Sequence, residues 1–143
     1  MASFPYEKEV GIYCKKLVER LRPRSIVLFG SMARGDYGAG SDVDILVISE
    51  NLPPNFLERL RLLSDANPTL APIQAVGYTP VEFLQMIHRR HPTALYAVAD
   101  GKPLHDDGFF EKAKQVFEKV KKDFDLVRTE HGWDARILSA RSK

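Results

Sequence analysis

The sequence predicts an α/β or α+β domain with a small sheet, and three observations carry that expectation. Short apolar runs at Ser25–Phe29, Val43–Ile48 and 71–78 have the length and the β-branched or aromatic content of strands. Stretches with apolar residues three and four apart flank and separate them, as amphipathic helices do. A chain of 143 residues suits one domain with a real hydrophobic core.

The elements follow in order. From about Pro5 to Leu21, Val10, Tyr13, Cys14, Leu17, Val18 and Leu21 mark one helical face, and Pro23 stops the helix. Cys14 reads as a small hydrophobe on that face. Ser25–Phe29 is a buried strand ending at Gly30, Ser31–Arg34 is the first turn of a short helix, and 35–41 is a glycine-rich loop. Val43–Ile48 is the second strand. Pro53, Pro54 and Asn55 open a helix with Phe56, Leu57, Leu60 and Leu63 as its apolar positions, and Asn55 with Glu58 fits a capping box. After a turn at 67–69 comes the third strand. Thr79, Pro80 and Glu82 then give a complete helix start, and that helix should reach about Arg90. A short helix over 93–99 and an extended piece at 102–105 lead to Gly108. From there Phe109, Ala113, Val116, Phe117, Val120, Phe124 and Val127 predict one long helix with a lysine-rich outer face. The chain beyond Arg128 has no clear period, and its last residues are expected to fray. The division expected is a single domain over 1–143, with a core at about 25–105, a C-terminal helix at about 107–127 and a tail at 128–143.

The bulk composition is ordinary for a soluble chain, at 44% hydrophobic and 28% charged residues. A net charge of +2 is no nucleic-acid footprint by itself. Cys14 is the one cysteine, so no internal disulfide forms, which fits a reducing compartment. The N-terminal residues lack the basic lead and apolar core of a secretory signal, and no apolar run approaches the ~20 residues of a membrane span. The expectation is a cytoplasmic protein with no membrane contact.

The chemistry concentrates between Leu28 and Val47. A Walker phosphate loop would need a Gly-Lys-Ser/Thr ending, but Asp36 and Tyr37 follow Gly35. A dinucleotide fingerprint fails because Gly38 and Gly40 run into a strand rather than a helix. What stands there is a strand ending at Gly30, where a ligand can approach the backbone closely. Ser31 opens a short helix whose N-terminus favours anions, phosphate above all, and Arg34 adds a cation one turn on. Asp42 and Asp44, two apart at a strand start, project to one face while Val43 and Ile45 cover the core on the other. Two carboxylates held together repel, and a hard divalent cation such as Mg²⁺ relieves that repulsion while taking phosphate oxygens as further ligands. Each feature alone is plain turn chemistry. In this order they lay out metal-assisted phosphoryl transfer.

Gly30 and Ser31, then ten residues, then Asp42 and Asp44, with Ala33, Arg34, Gly35 and Ser41 between, resemble the signature of the minimal nucleotidyltransferases in the DNA polymerase beta-like superfamily. The resemblance covers about residues 25–85, and 77–83 resembles the segment after the family's third core strand. It implies an α+β, α/β sandwich-like fold: a small mixed, mostly antiparallel sheet backed by helices, with added N- and C-terminal helices. It implies Mg²⁺-dependent transfer of a nucleoside monophosphate from an NTP, ATP foremost, to an acceptor. Gly30, Ser31 and Arg34 would hold the NTP, and Asp42 and Asp44 would be catalytic and ligate the metal, two ions if the enzyme is active. Some small members act as antitoxins that transfer AMP to a helical HEPN-type toxin, so a protein partner of that kind is implied.

One departure splits the functional expectation. Active members carry a third carboxylate on the third core strand, and here that strand is 71–78, with Gln74 at about the expected place. Glutamine is no general base and a poor Mg²⁺ ligand; loss of general-base catalysis typically costs ~10²–10⁴-fold. The alternative is a weak or silent nucleotide-binding module that acts through protein interaction. Glu82, Asp65 and Glu50 are other acids without a spacing argument, Glu82 reading first as a capping residue. The basic patches Arg20/Arg22/Arg24, 88–91 and 119–122 raise nucleic-acid binding but read more simply as solvated helix faces. His88 and His91 lack a cysteine partner for zinc, and His105, Asp106 and Asp107 read as a helix entry that favours acids. Trp133 packs back on the domain or marks a partner surface, and the outer helices or a bare sheet edge allow a homo-oligomer.

Overall fold

The computed structural model describes residues 4–130 and 132–135. Its elements are α1 (Glu7–Leu21), β1 (Ser25–Phe29), α2 (Ser31–Arg34), β2 (Val43–Ile48), α3 (Phe56–Asp65), β3 (Ile73–Tyr78), α4 (Pro80–His88), α5 (Pro92–Asp100), β4 (Lys102–Asp106), α6 (Phe109–Asp123), β5 (Leu126–Thr129) and β6 (Gly132–Ala135). The main sheet has the order β3-β2-β1-β4. β1 pairs antiparallel with both β2 and β4, whereas β2 and β3 run parallel, their crossover provided by α3. The sheet is thus small, mixed and mostly antiparallel, and the class is α+β.

Alternation along the strands sends side chains to two cores. Ile26, Leu28, Val43, Ile45 and Val47 face α1 and α3, where they meet Tyr13, Leu17 and Leu63. Val27, Leu46 and Ile48 face α4, α5 and α6, where they meet Phe83, Ile87, Leu95 and Phe117. Cys14 is half-buried beside the first core, and burial pushes its thiol up to about 11, so it acts as a packing residue rather than a nucleophile. The Tyr13 hydroxyl donates to the Leu63 carbonyl at 2.6 Å, satisfying an acceptor in the last turn of α3 and tying the two helices together.

The helix starts follow from their caps. Asn55 accepts from the Glu58 amide at 3.1 Å, the forward half of the expected box. At α4 both halves form: Thr79 caps the Glu82 amide and the Glu82 carboxylate takes the Thr79 amide. Glu82 also pairs with the buried Arg59 guanidinium at 2.7 Å, which holds its carboxyl below the usual range despite partial burial. That helix ends at His88 rather than Arg90. Arg90 takes a left-handed conformation, φ 59°, and the His91 amide closes back on the Met86 carbonyl.

The C-terminal region differs most from expectation. α6 stops at Asp123, Asp125 turns left-handed at φ 47°, and Leu126 and Val127 enter a two-stranded hairpin, β5–β6, instead of extending the helix. Trp133 packs edge-on against Phe117 with ring centroids 5.6 Å apart, so it does fold back on the domain. The expected fraying concerns residues that lie outside those described.

Tyr13→Phe is expected to cost about 1 kcal/mol by leaving the Leu63 carbonyl unpaired, read as a lower denaturation midpoint with an unchanged slope.

Candidate active site

The site forms where β1 ends and β2 begins. Antiparallel register sets Phe29 opposite Asp44, so the turn at Gly30 lies against the Asp44 side chain. Gly30 has φ 72° and ψ −157°, a region essentially reserved for glycine. A Cβ there would collide with the Asp44 carboxylate. The same chain reversal that makes the turn therefore also seats the carboxylate.

α2 is one turn of helix, with the Ala33 and Arg34 amides both returning to the Gly30 carbonyl at 3.1 Å. The amides of Ser31 and Met32 remain as those a phosphate would meet at the open end. Arg34 is not an unengaged cation: its Nε bonds Asp36 at 3.0 Å within the loop. It still lies close enough to Asp44 and to Asp100 to favour the charged form of both. The Asp44 carboxyl is nevertheless raised above its ordinary value, first by burial and then by the Asp42 charge. Asp42 itself is exposed and Asp44 half-buried.

The parallel register places Gln74 directly opposite Asp44. Paired residues share a face, so Gln74 stands on the side of the sheet where Asp42 and Asp44 project, and it is exposed. The other acids lie elsewhere. Glu82 sits in its cap with Arg59, Glu50 follows the far end of β2 and pairs with Arg24, and Asp65 is on α3, under the opposite face. Asp106 and Asp107 serve the entry to α6, accepting from the Phe110 and Phe109 amides, as the helix-entry reading expects. His91 caps α5 through Nδ1, accepting from the Thr93 amide at 3.2 Å, so it is extended rather than helical.

A divalent cation fits this donor set. Burial and the neighbouring Asp42 charge raise the cost of ionising Asp44, and a cation bound there would lower it. Among the described residues no group of three His, Cys, Asp or Glu side chains is placed to hold a metal. Its remaining ligands would therefore be phosphate oxygens and water, a pattern that suits Mg²⁺-type ions. The sequence reading missed Asp100, taken only as a helix end. The structure sets it within electrostatic reach of Arg34 and locks it to Arg128 in two hydrogen bonds of 2.7 and 2.6 Å. A cavity of about 1070 Å³ lies elsewhere: an apolar groove between α1 and β4, lined by Val10, Cys14, Leu28 and Leu104.

The nucleotidyltransferase domain model matches residues 13–127, so this chain belongs to the nucleotidyltransferase domain family. Two curated relatives come from Methanocaldococcus jannaschii. "Putative protein adenylyltransferase MJ1305" is 54% identical over 41 residues, 29% of this chain and 28% of the relative. "Putative protein adenylyltransferase MJ1379" is 46% identical over 50 residues, 34% of this chain and 50% of the relative. The matches thus span half or less of these relatives' lengths. Among solved structures, a toxin–antitoxin crystallised with AMP-PNP aligns with a TM-score of 0.50 at 19% identity, covering 82% of this chain and 91% of the other. At that identity the likeness speaks for the fold. Among the described residues no helix is long and apolar enough to cross a membrane.

Two outcomes follow at this site. Gly30→Ala is expected to cost roughly 1–3 kcal/mol through strain and collision, read by chemical denaturation. Asp44→Asn is expected to raise the thermal midpoint at pH 7 without metal or nucleotide. Asp44 titrates higher in the folded chain than in the unfolded one, so the folded chain holds the extra proton between the two values and loses stability as pH rises through them. The gain from Asn is therefore full above that window and shrinks as the pH falls through it.

Proposed function

We propose that this chain is a Mg²⁺-dependent nucleotidyltransferase that moves AMP from ATP to a hydroxyl on a protein, in the manner of an antitoxin acting on a helical HEPN-type partner. The observation that carries this reading is the seating of Asp44 against Gly30, with Asp42 two residues before it. Phosphate-binding turn and carboxylate pair are held by one strand pairing. The relatives' adenylyltransferase names support AMP as the group transferred and a protein as acceptor. The AMP-PNP in the structural neighbour supports ATP as donor, and that neighbour's being a toxin–antitoxin supports a protein partner.

In this reading the Gly30–Ser31 turn grips the phosphate tail, and Asp42 and Asp44 would hold the metal. A cation held by them would offset charge developing on the phosphate oxygens. The acceptor oxygen forms a bond to the α-phosphorus, the bond to the β-phosphate bridging oxygen breaks, and pyrophosphate leaves. The acceptor proton passes to solvent, because Gln74 stands where a carboxylate would take it. The transfer is accordingly slow. That same glutamine favours a second reading, a silent nucleotide-binding module acting by protein contact.

Incubation with α-labelled ATP and Mg²⁺ tests both. Label is expected in protein, lost by more than ~10²-fold in Asp42→Ala and in Asp44→Ala, and increased in Gln74→Glu toward the ~10²-fold scale of general-base catalysis. Tight Mg-ATP binding by calorimetry with no label incorporated, in this chain or in Gln74→Glu, would establish the silent module instead.

A further inference from the structure

The helical layer on the carboxylate side of the sheet carries a basic end, and the fold decides which end it is. α6 begins beside β1's first residues: Arg24 lies over the Phe109 ring at 5.7 Å, and the Phe110 amide bonds Asp106, the partner of Ser25. α4 begins at the same end, directly after Tyr78, and Phe83 meets Phe109 with centroids 6.4 Å apart. Both helices then run toward the other end of the strands. Their far ends meet where the Arg90 guanidinium stacks on the Phe124 ring at 3.9 Å. The fifteen residues of α6 rise about 22 Å, and the six of β2 span about 20 Å. Both helices thus point from the Ser25/Tyr78 end of the sheet toward the end that carries Asp42, Asp44 and Gln74, on the face to which those side chains project.

This convergence joins two basic clusters that are separate in sequence. His88, Arg89 and Arg90 close α4, and Lys121 and Lys122 close α6. Positive charge in a last helical turn is favoured by the helix dipole, but that accounts for each helix alone and not for their stacking into one surface. Arg89 and Lys122 are exposed, and among the described residues neither has an ion-pair partner. Arg90 holds a left-handed backbone while its guanidinium lies over one face of the partly exposed Phe124 ring. Asp123 ends the positive run on α6, so the exposed cations of this patch are few, Arg89 and Lys122 foremost.

Resting on the reading of AMP transfer to a protein, we propose that this end of the α4–α6 layer is the docking face for the acceptor, and that the acceptor presents a Glu/Asp-rich segment next to its reactive hydroxyl. Carboxylates on the acceptor meet Arg89 and Lys122 as its hydroxyl reaches the Asp42/Asp44 side. Such a partner brings its own acid to the place that Gln74 leaves without one.

The test uses two labelled random copolymers, poly(Glu,Tyr) and poly(Lys,Tyr), with the full chain and no ATP, and reads binding by fluorescence anisotropy. The acidic copolymer is expected to bind in a salt-sensitive manner and the basic one not. Arg89→Glu/Lys122→Glu is expected to weaken binding by about tenfold or more, the milder Arg89→Gln/Lys122→Gln by less in the same direction, and Lys16→Glu on α1 not at all. With α-labelled ATP and Mg²⁺ added, the reversal should raise KM for the copolymer and leave KM for ATP unchanged. Equal binding of both copolymers, or no loss on reversal, would overturn the proposal. Tighter binding of poly(U) than of poly(Glu,Tyr), lost on the same reversal, would overturn it in favour of RNA. Charge-selective binding with no AMP transfer by this chain or by Gln74→Glu would sink the transferase reading and leave the docking face standing; transfer without charge preference would do the reverse.

Discussion

Contact between the backbone of Gly30 and the carboxylate of Asp44 is the constraint on which this architecture turns. It exists because β1 and β2 pair with Phe29 opposite Asp44, and that register in turn is fixed by burial. Slipping the pairing by one residue would carry Ile26, Leu28, Ile45 and Val47 away from α1 and α3. Two hydrophobic cores thus hold the register, the register holds the turn, and the turn sets both the amides that open α2 and the carboxylate. The electrostatic cost of that placement, a half-buried Asp44 beside Asp42, falls on the folded chain.

Much of this was legible in the residues. Ser25–Phe29, Ser31–Arg34 and Val43–Ile48 have the bounds expected from their β-branched runs and glycine punctuation. The capping signals at Thr79 place α4, because local hydrogen bonds fix its start irrespective of the rest of the fold. Gln74 as the counterpart of the missing carboxylate followed from the resemblance, and the β2–β3 register sets it opposite Asp44.

What escaped the sequence shares one physical cause. Asp125 and Arg90 adopt left-handed backbones without being glycine, so nothing in composition announces the breaks they make. Val127 continues a helical spacing by coincidence, yet it lies in β5, where the hairpin gains its hold from Trp133 on Phe117 and Arg128 on Asp100. Those are long-range contacts, invisible to any local pattern. Arg34 escaped in a subtler way: its charge was expected at the site, but its engagement with Asp36 depends on how the loop closes.

The two-sided burial of the sheet has an evolutionary consequence. The turn at Gly30 takes its shape from strands packed under α1 and α3, while α4 and α6 rest on a separate core across the sheet. Apart from Asp100 on α5, which lies within reach of Arg34, the second layer meets that turn chiefly through strand backbone that the ladder already fixes. α4 and α6 are therefore freer to drift in sequence than the strands that hold the turn.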